Sequence, residues 1–259
     1  KKELSLYGIR SKKYSGKYIL NLHDFFPQNA VDLGILKNKL IIRFFERMER
    51  LAYKDADYIV VPSESHKKFL ANERGVDLSK VDVVPHWIDM GQFERASRTN
   101  KYRKLYNLDD KFIFLFAGVL GPSQGLDFIL KIADKVRNEK GIHFLFVGDG
   151  MAKEGLVAMT KDLGLENVSF EPFVSKEEYP FLVKDVDVGI ISLTDKNTTP
   201  AVPAKLIGYM AGGLPVIGFL VHLLISFPER TYKLTLAQLD GKFLLPDKSD
   251  RQHFVLLVG

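Results

Sequence analysis

Two periods alternate along this chain. Short apolar runs of strand length are separated by stretches with the 3.6-residue spacing of helices. In the first half, Lys17–Leu22 (KYILNL) reads as a buried strand running into His23-Asp24. Asn38–Tyr53 reads as a helix, because Leu40, Ile41, Phe44, Phe45, Met48, Leu51 and Ala52 fall on one stripe. Ala56–Val61 is a strand stopped by Pro62, and Ser63 is placed to cap a helix over Glu64–Asn72. Val81–Val84 is a further strand, ended by Pro85. Residues 89–110 are polar, carry no strong strand signal and read as a link between domains.

The second half repeats the alternation more clearly. Phe112–Val119 is a continuous apolar run of the kind buried on both faces of a parallel sheet. The turn Gly121–Gly125 leads into a helix over Leu126–Asn138. Ile142–Val147 is a strand ending in Gly148-Asp149-Gly150, followed by a helix at about 152–163 and a strand at Val168–Phe170. Asp187–Ser192 is a strand followed by a polar loop; Pro203 opens a helix to Ala211, and Leu214–Ile217 is the next strand. Strands separated by helices of this length predict right-handed βαβ units and an α/β fold with parallel sheets. The expected division is a first domain with its linker over 1–103 and a second domain over 104–259.

Composition narrows the class. Of 259 residues, 46% are apolar and 27% charged, the mix of a globular protein with a sizeable core. There is no cysteine, which excludes a disulfide framework, a cysteine metal cluster and a thiol nucleophile. No run of about 18 apolar residues is present, so no spanning helix is expected. The stretch Gly213–Phe227 is interrupted by Pro215, His222 and Ser226 and is too short to span. No secretory signal opens the chain, and its start at Lys1-Lys2-Glu3 reads as that of a fragment. Charge is uneven: residues 1–103 hold 20 Lys+Arg against 13 Asp+Glu, and the rest hold 17 against 19. The basic first half fits nucleic acid, anionic lipid or a phosphorylated substrate, or a solvated face with no partner.

In parallel sheets, ligands bind beyond the carboxyl ends of the strands, at helix N-termini. Three stretches fall there. Gly118 to Gly125 and Gly148-Asp149-Gly150 bring glycines whose backbone can approach a ligand closely. Asp195 to Val202 precedes the Pro203 helix, and Lys205 adds a positive charge in its first turn. Together they make a diphosphate cradle; singly, each glycine pair also reads as a tight turn and the lysine as a surface residue. Other chemistries lack their motifs: there is no GxGxxG after a strand, no GxxxxGK[ST], no HExxH and no GxSxG. The six histidines show no metal-ligand spacing, and no metal is expected.

Gly118–Asp127 (GVLGPSQGLD), Phe146–Gly150 (FVGDG), Glu171–Val174 (EPFV), Asp187–Leu193 (DVGIISL) and Val202–Ile217 (VPAKLIGYMAGGLPVI) come in that order. They resemble the donor-binding domain of retaining family-4 glycosyltransferases with the GT-B fold, nearest to the bacterial branch that builds lipid-linked polysaccharides. Leu20–Pro27 (LNLHDFFP), Ala56–Ser63 (ADYIVVPS) and Val84–Asp89 (VPHWID) resemble the later part of the acceptor domain, so the likeness covers about residues 17–218. It implies two Rossmann-like domains, the first incomplete, with a nucleotide-diphospho-sugar as substrate and no cofactor. A UDP-sugar rather than a GDP-sugar is the expected donor. The sugar would pass to a lipid-linked or saccharide acceptor with retention, the departing diphosphate being stabilised electrostatically.

The resemblance assigns residues. His23 matches the acceptor-side active-site histidine. Gly121, Gln124, Gly125, Gly148 and Gly150 match loops beside the diphosphate, and Lys205 matches a basic phosphate contact. Phe173 and Val174 match the stretch beside the nucleobase; Thr199, Ala201 and Val202 match that near the phosphates and sugar. Gly208 stands where the family usually carries the glutamate that holds the ribose hydroxyls, and Pro200 stands at a second such glutamate. Losing the clamp at 208 is expected to weaken donor binding by ~1.5–3 kcal/mol. Val119 and Gln124 stand where the wider family has Arg and Lys. Against the family, further strands are expected before residue 17 and a closing helix after the end; residues 219–239 depart from the pattern, and 241–250 partly recover it. An impaired nucleotide-sugar-binding module that needs a partner is the competing reading. Helix 38–54 pairs its apolar stripe with Lys39, Arg43, Arg47, Arg50 and Lys54, which fits docking on an anionic membrane or an ordinary sheet-covering helix. No nucleic-acid recognition motif accompanies the basic charge, so nucleic acid is not the expected partner. The expected location is the cytoplasm, at the inner face of the membrane.

Overall fold

The computed structural model describes residues 15–219 together with the strands 231–235 and 254–258. The reading of 241–250, that of residues 219–239 outside those strands, and His222 and His253 lie outside the described residues. The described residues form two compact units: 15–86 with 196–202, and 87–195 with 203–219 and the two further strands.

In the first unit, β1 (Ile19–Asn21), β2 (Tyr58–Val61) and β3 (Val81–Val83) pair in parallel in the order β1-β2-β3. Among its described residues are the helices α1 (Gln28–Asp32), α2 (Lys39–Asp55) and α3 (Glu64–Arg74). Its core is Phe25, Tyr53, Ala56, Ile59, Val61, Leu70 and Val81. Helix α3 begins as expected, with the Ser63 hydroxyl accepting from the His66 amide, and it ends at Gly75 in the left-handed region, where glycine carries no Cβ penalty. Helix α2 is capped by Asn38, whose side chain accepts from the Leu40 and Ile41 amides. Tyr53 is its one buried residue, whereas Leu40, Ile41 and Phe44 at its N-terminal end are 76, 44 and 58% exposed.

The second unit is built on one parallel sheet. Its strands are β4 (Phe112–Ala117), β5 (Ile142–Val147), β6 (Val168–Glu171), β7 (Val188–Ser192), β8 (Val216–Phe219), β9 (Thr231–Thr235) and β10 (Phe254–Val258). They lie in the order β6-β5-β4-β7-β8-β10-β9. From β4 the chain winds outward through β5 and β6, then returns to place β7 on the other side of β4. The topological switch point therefore falls between β4 and β7, where such sheets bind ligands. Aromatic stacking across strands fills one layer: Phe114 and Phe144 rings lie 5.1 Å apart, and Phe146 and Phe170 rings 4.9 Å apart.

Residues 89–110 are not a featureless link. They form two short helices, α4 (Met90–Arg95) and α5 (Lys101–Leu105), and group with the second unit, whereas the expected boundary lay at 103. The cause is the fully buried Asp185 at the end of helix α8 (Tyr179–Asp185), which follows α6 (Leu126–Lys135) and α7 (Lys153–Asp162). Its carboxylate accepts from the amides of Thr99, Asn100 and Tyr102 at 2.8, 2.8 and 2.9 Å. Buried Arg103 donates to the Asp185 carbonyl and pairs with Asp187. These partners lie more than 80 residues away in sequence, so local periodicity carries no trace of them.

The last helix, α9 (Ala204–Ala211), takes Pro203 as its N-cap rather than as its first residue. Tyr209, wholly buried, ties it down: the Ala117 amide donates to the Tyr209 hydroxyl at 2.9 Å, and that hydroxyl lies 3.2 Å from the Leu115 carbonyl. On β7, a Cβ at Gly189 would meet the Tyr209 ring, so the absent side chain makes room for the anchor.

Candidate functional site

The carboxyl edge of the second sheet is a set of loops stitched to one another. The Gly118 amide donates to the Val147 carbonyl at 2.9 Å, the Leu120 amide to Asp149 at 2.8 Å and the Ala152 amide to Leu120 at 2.9 Å. The Gly148 amide reaches Glu171 at the end of β6, and the Thr194 amide reaches Ser123 after β7. Gly148 and Gly150 have φ of 153° and 152°, and a Cβ on either would run into the backbone of the β4 loop. Glycine is thus required there by loop packing itself, whatever ligand lies beyond.

Lys205 is a charged group at this edge. It lies one helical turn before Tyr209 on the same face of α9, so the tyrosine anchor also fixes the lysine. Its Nζ donates to Gln124 Oε1 at 2.9 Å and sits 4.5 Å from the Phe116 ring centroid. A Cβ at Gly118 would lie 3.5 Å from Lys205 Cε, so the glycine leaves the stem its room. Desolvation pushes the ammonium down to about 8, and no carboxylate is paired with it among the described residues. An ammonium this poorly solvated gains from an anion. The helix N-terminus that carries it has no side-chain cap competing for its amides.

The other expected residues fall as follows. Gly121 caps the short turn Pro122–Gln124, and Gly125 follows in the left-handed region with Thr194 backbone 3.4 Å from where its Cβ would be. Phe173 after β6 is 55% exposed, and Val174 is half-buried beside it. Val119 and Met151, at the ends of β4 and β5, are also strongly exposed; Met151 was not singled out from sequence. The segment 196–202 groups with the first unit. There the Thr198 amide and hydroxyl donate to Asp32, and the Thr199 hydroxyl donates to Asn29 at 2.6 Å; Ala201 and Val202 are half-buried. Gly208 is buried against Tyr179, whose hydroxyl would lie 2.7 Å from a Cβ at 208. A carboxylate at that position would require the tyrosine to move.

In the first unit, His23 is exposed just beyond β1 and stacks on His86 beyond β3. Sequence reasoning missed His86 and the buried His66 below them, because the three come together only through sheet order. A cavity of about 640 Å³ lies at the opposite, amino edge of the second sheet, lined by Arg98, Arg103, Asp110, Lys111 and Glu139 among others. Its Arg103 and Lys111 are already paired with Asp187 and Asp110, and it touches none of the glycine loops. Among the described residues no group of His, Asp and Glu could hold a metal ion, and no helix is long and apolar enough to cross a membrane.

Comparison with known proteins covers both units. The family described as "Glycosyl transferases group 1" matches residues 111–230, and "Glycosyltransferase Family 4" matches residues 3–92. The putative colanic acid biosynthesis glycosyl transferase WcaI of Escherichia coli K12 is 29% identical over 216 residues, covering 81% of this chain and 53% of the relative. The probable glycosyltransferase WbjE of Pseudomonas aeruginosa is 28% identical over 207 residues, covering 78% and 50%. This chain spans about half the length of these curated relatives. Among solved structures, Anabaena Alr3699/HepE in complex with UDP and glucose superposes with a TM-score of 0.67 at 17% identity, covering 82% of this chain and 55% of that one. WaaG, a glycosyltransferase involved in lipopolysaccharide biosynthesis, superposes at 0.60 with 14% identity, covering 82% and 61%. The α/β fold, with its two parallel-sheet units, is that of the GT-B glycosyltransferases.

Proposed function

We propose that this chain serves a retaining glycosyltransferase of cell-surface polysaccharide or glycolipid synthesis. The second unit holds the diphosphate of a nucleotide-sugar, and the first supplies His23 on the acceptor side. The observation that carries this is Lys205: an ammonium with no carboxylate partner among the described residues, held by Gln124 at the switch point and at a helix N-terminus. As the sugar–phosphate bond breaks, charge develops on the leaving diphosphate. Lys205 and the amides opening α9 stabilise that charge without a metal. The UDP and UDP-glucose complexes of Anabaena HepE support a uridine donor. Phe173 and Val174 beyond β6 would then meet the base, and Thr199, Ala201 and Val202 the phosphates and sugar. The reaction tests this directly. With UDP-glucose, the chain should release UDP, and proton NMR should show the α-anomer of glucose first. The β-anomer first would contradict retention; no UDP release would contradict the reading for this donor.

The same reading places the protein at the cytoplasmic face of a membrane carrying a lipid-linked acceptor, docked through α2. Leu40, Ile41 and Phe44 stand exposed at its start, with Phe44 and Phe26 rings both packed on Phe45. Exposed Lys39, Arg43, Arg47 and Arg50 flank them. Leu40→Ser with Phe44→Ser is expected to lower binding to anionic vesicles at least about tenfold, the scale of two lost apolar contacts. Unchanged sedimentation with such vesicles would contradict the docking.

A further inference from the structure

His23, His86 and His66 meet at the carboxyl edge of the first sheet, and the arrangement follows from strand order. β1 and β3 flank β2, so their ends stand roughly 9–10 Å apart. At that level the β2 chain has turned away through Pro62-Ser63 into α3. His23, two residues beyond β1, and His86, three beyond β3, fill the gap with their rings. Their centroids lie 4.9 Å apart and the planes differ by 11°. Below, in the first turn of α3, His66 is wholly buried, with its Nδ1 2.8 Å from the Ser63 hydroxyl and its ring stacked on Phe25 at 5.5 Å.

We propose that His86 is a positioning residue for His23: the face-to-face stack fixes the plane of the His23 ring. This rests on the reading of His23 as the group that meets the transferred sugar. Two imidazolium charges stacked face to face would repel one another. The titratable groups around the pair reinforce that. Desolvation holds His86 below its ordinary value, His23 pushes it the same way, and Asp24 opposes them. From α3, His66 is pushed down to about 4, chiefly by its own burial, with the His23 backbone and Asp24 opposing and His86 and His23 adding. His66 therefore brings no charge beneath the pair near neutral pH.

Imidazole NMR of the full 259-residue chain tests this. In His86→Ala the ring protons of His23 should move downfield as the ring current of the stack disappears, and in His86→Phe they should stay upfield. In His23→Asn the titration midpoint of His86 should rise, because the His23 contribution that lowers it is removed. In turnover of UDP-glucose, His86→Ala should lower kcat about tenfold with KM nearly unchanged, as a misaligned group does. His86→Phe should restore kcat. Unmoved His23 resonances in His86→Ala, an unmoved His86 midpoint in His23→Asn, or a kcat loss that His86→Phe does not rescue would each overturn the proposal. A chain that shows both spectral effects but cleaves no UDP-glucose supports the stacked pair and contradicts UDP-glucose as its donor.

Discussion

Replacing Lys205 with Met is expected to stabilise the chain and to cripple it at once. Burial holds the Lys205 ammonium near 8, below its ordinary 10.5, so the folded state bears a penalty for the charge. That penalty is fully present below pH 8 and is relieved as pH rises toward the unfolded value, so this residue adds stability between about pH 8 and 10.5. Methionine keeps the stem over Phe116 and removes the charge. The lost hydrogen bond to Gln124 and the lost cation–π contact offset part of the gain, and partial solvent access screens more. The net gain near neutral pH is expected to be about 1 kcal/mol, read by chemical denaturation. Binding should move the other way. UDP loses a charged hydrogen bond, which costs at least about tenfold in affinity. In the unmutated chain the affinity should fall as pH rises above about 8, because the ammonium gives up its proton there. A Lys205→Met chain that is less stable and binds UDP undiminished would contradict this role.

Gly148→Ala is expected to be the most damaging small substitution in the second unit. Its φ of 153° lies where L-residues are strained, and the new methyl would enter the Gly118 backbone. Neither strand end can yield easily: the Gly118 amide is bonded to Val147 and the Gly148 amide to Glu171, both at 2.9 Å. The cost should be at least ~3 kcal/mol, a fall in melting temperature on the order of 10 °C for a chain of this size. Gly150→Ala, with its Cβ 2.5 Å from the Leu120 carbonyl, should follow closely. Gly155→Ala is the contrast. It lies in α7 with nothing within 4 Å of the new atom, so it should be neutral or gain up to ~1 kcal/mol. Equal melting temperatures for Gly148→Ala and Gly155→Ala would contradict the interlocked-loop account.

The parts of this fold that could be read in the sequence are those whose cause is local. Phe112–Ala117 is apolar without interruption because both faces of β4 are covered, and a run of that kind declares itself. Ser63 before α3 is a cap that acts within three residues. What could not be read depends on distant partners. α4 and α5 owe their place to Asp185, and the height of Lys205 over Phe116 is set by a Tyr209 hydroxyl bonded to a strand more than 90 residues earlier. An apolar stripe on α2 marks a helix, but it does not say whether the start of that stripe faces the sheet or solvent. The glycines of the β4 and β5 turns were legible as special, but the reason differs. Gly148 and Gly150 admit a neighbouring loop, and the group that calls for an anion is the lysine across from them. At 208 the family resemblance marks a missing carboxylate, and the structure fills that space with Tyr179.

The most direct test of the central claim is calorimetric titration of the chain with UDP. The claim is that the β4 turn and the start of α9 form a diphosphate cradle around Lys205. It predicts stoichiometric binding that weakens as pH rises above about 8 and falls at least about tenfold in Lys205→Met. Binding that is indifferent to both, or no binding of UDP by the unmutated chain, would contradict it.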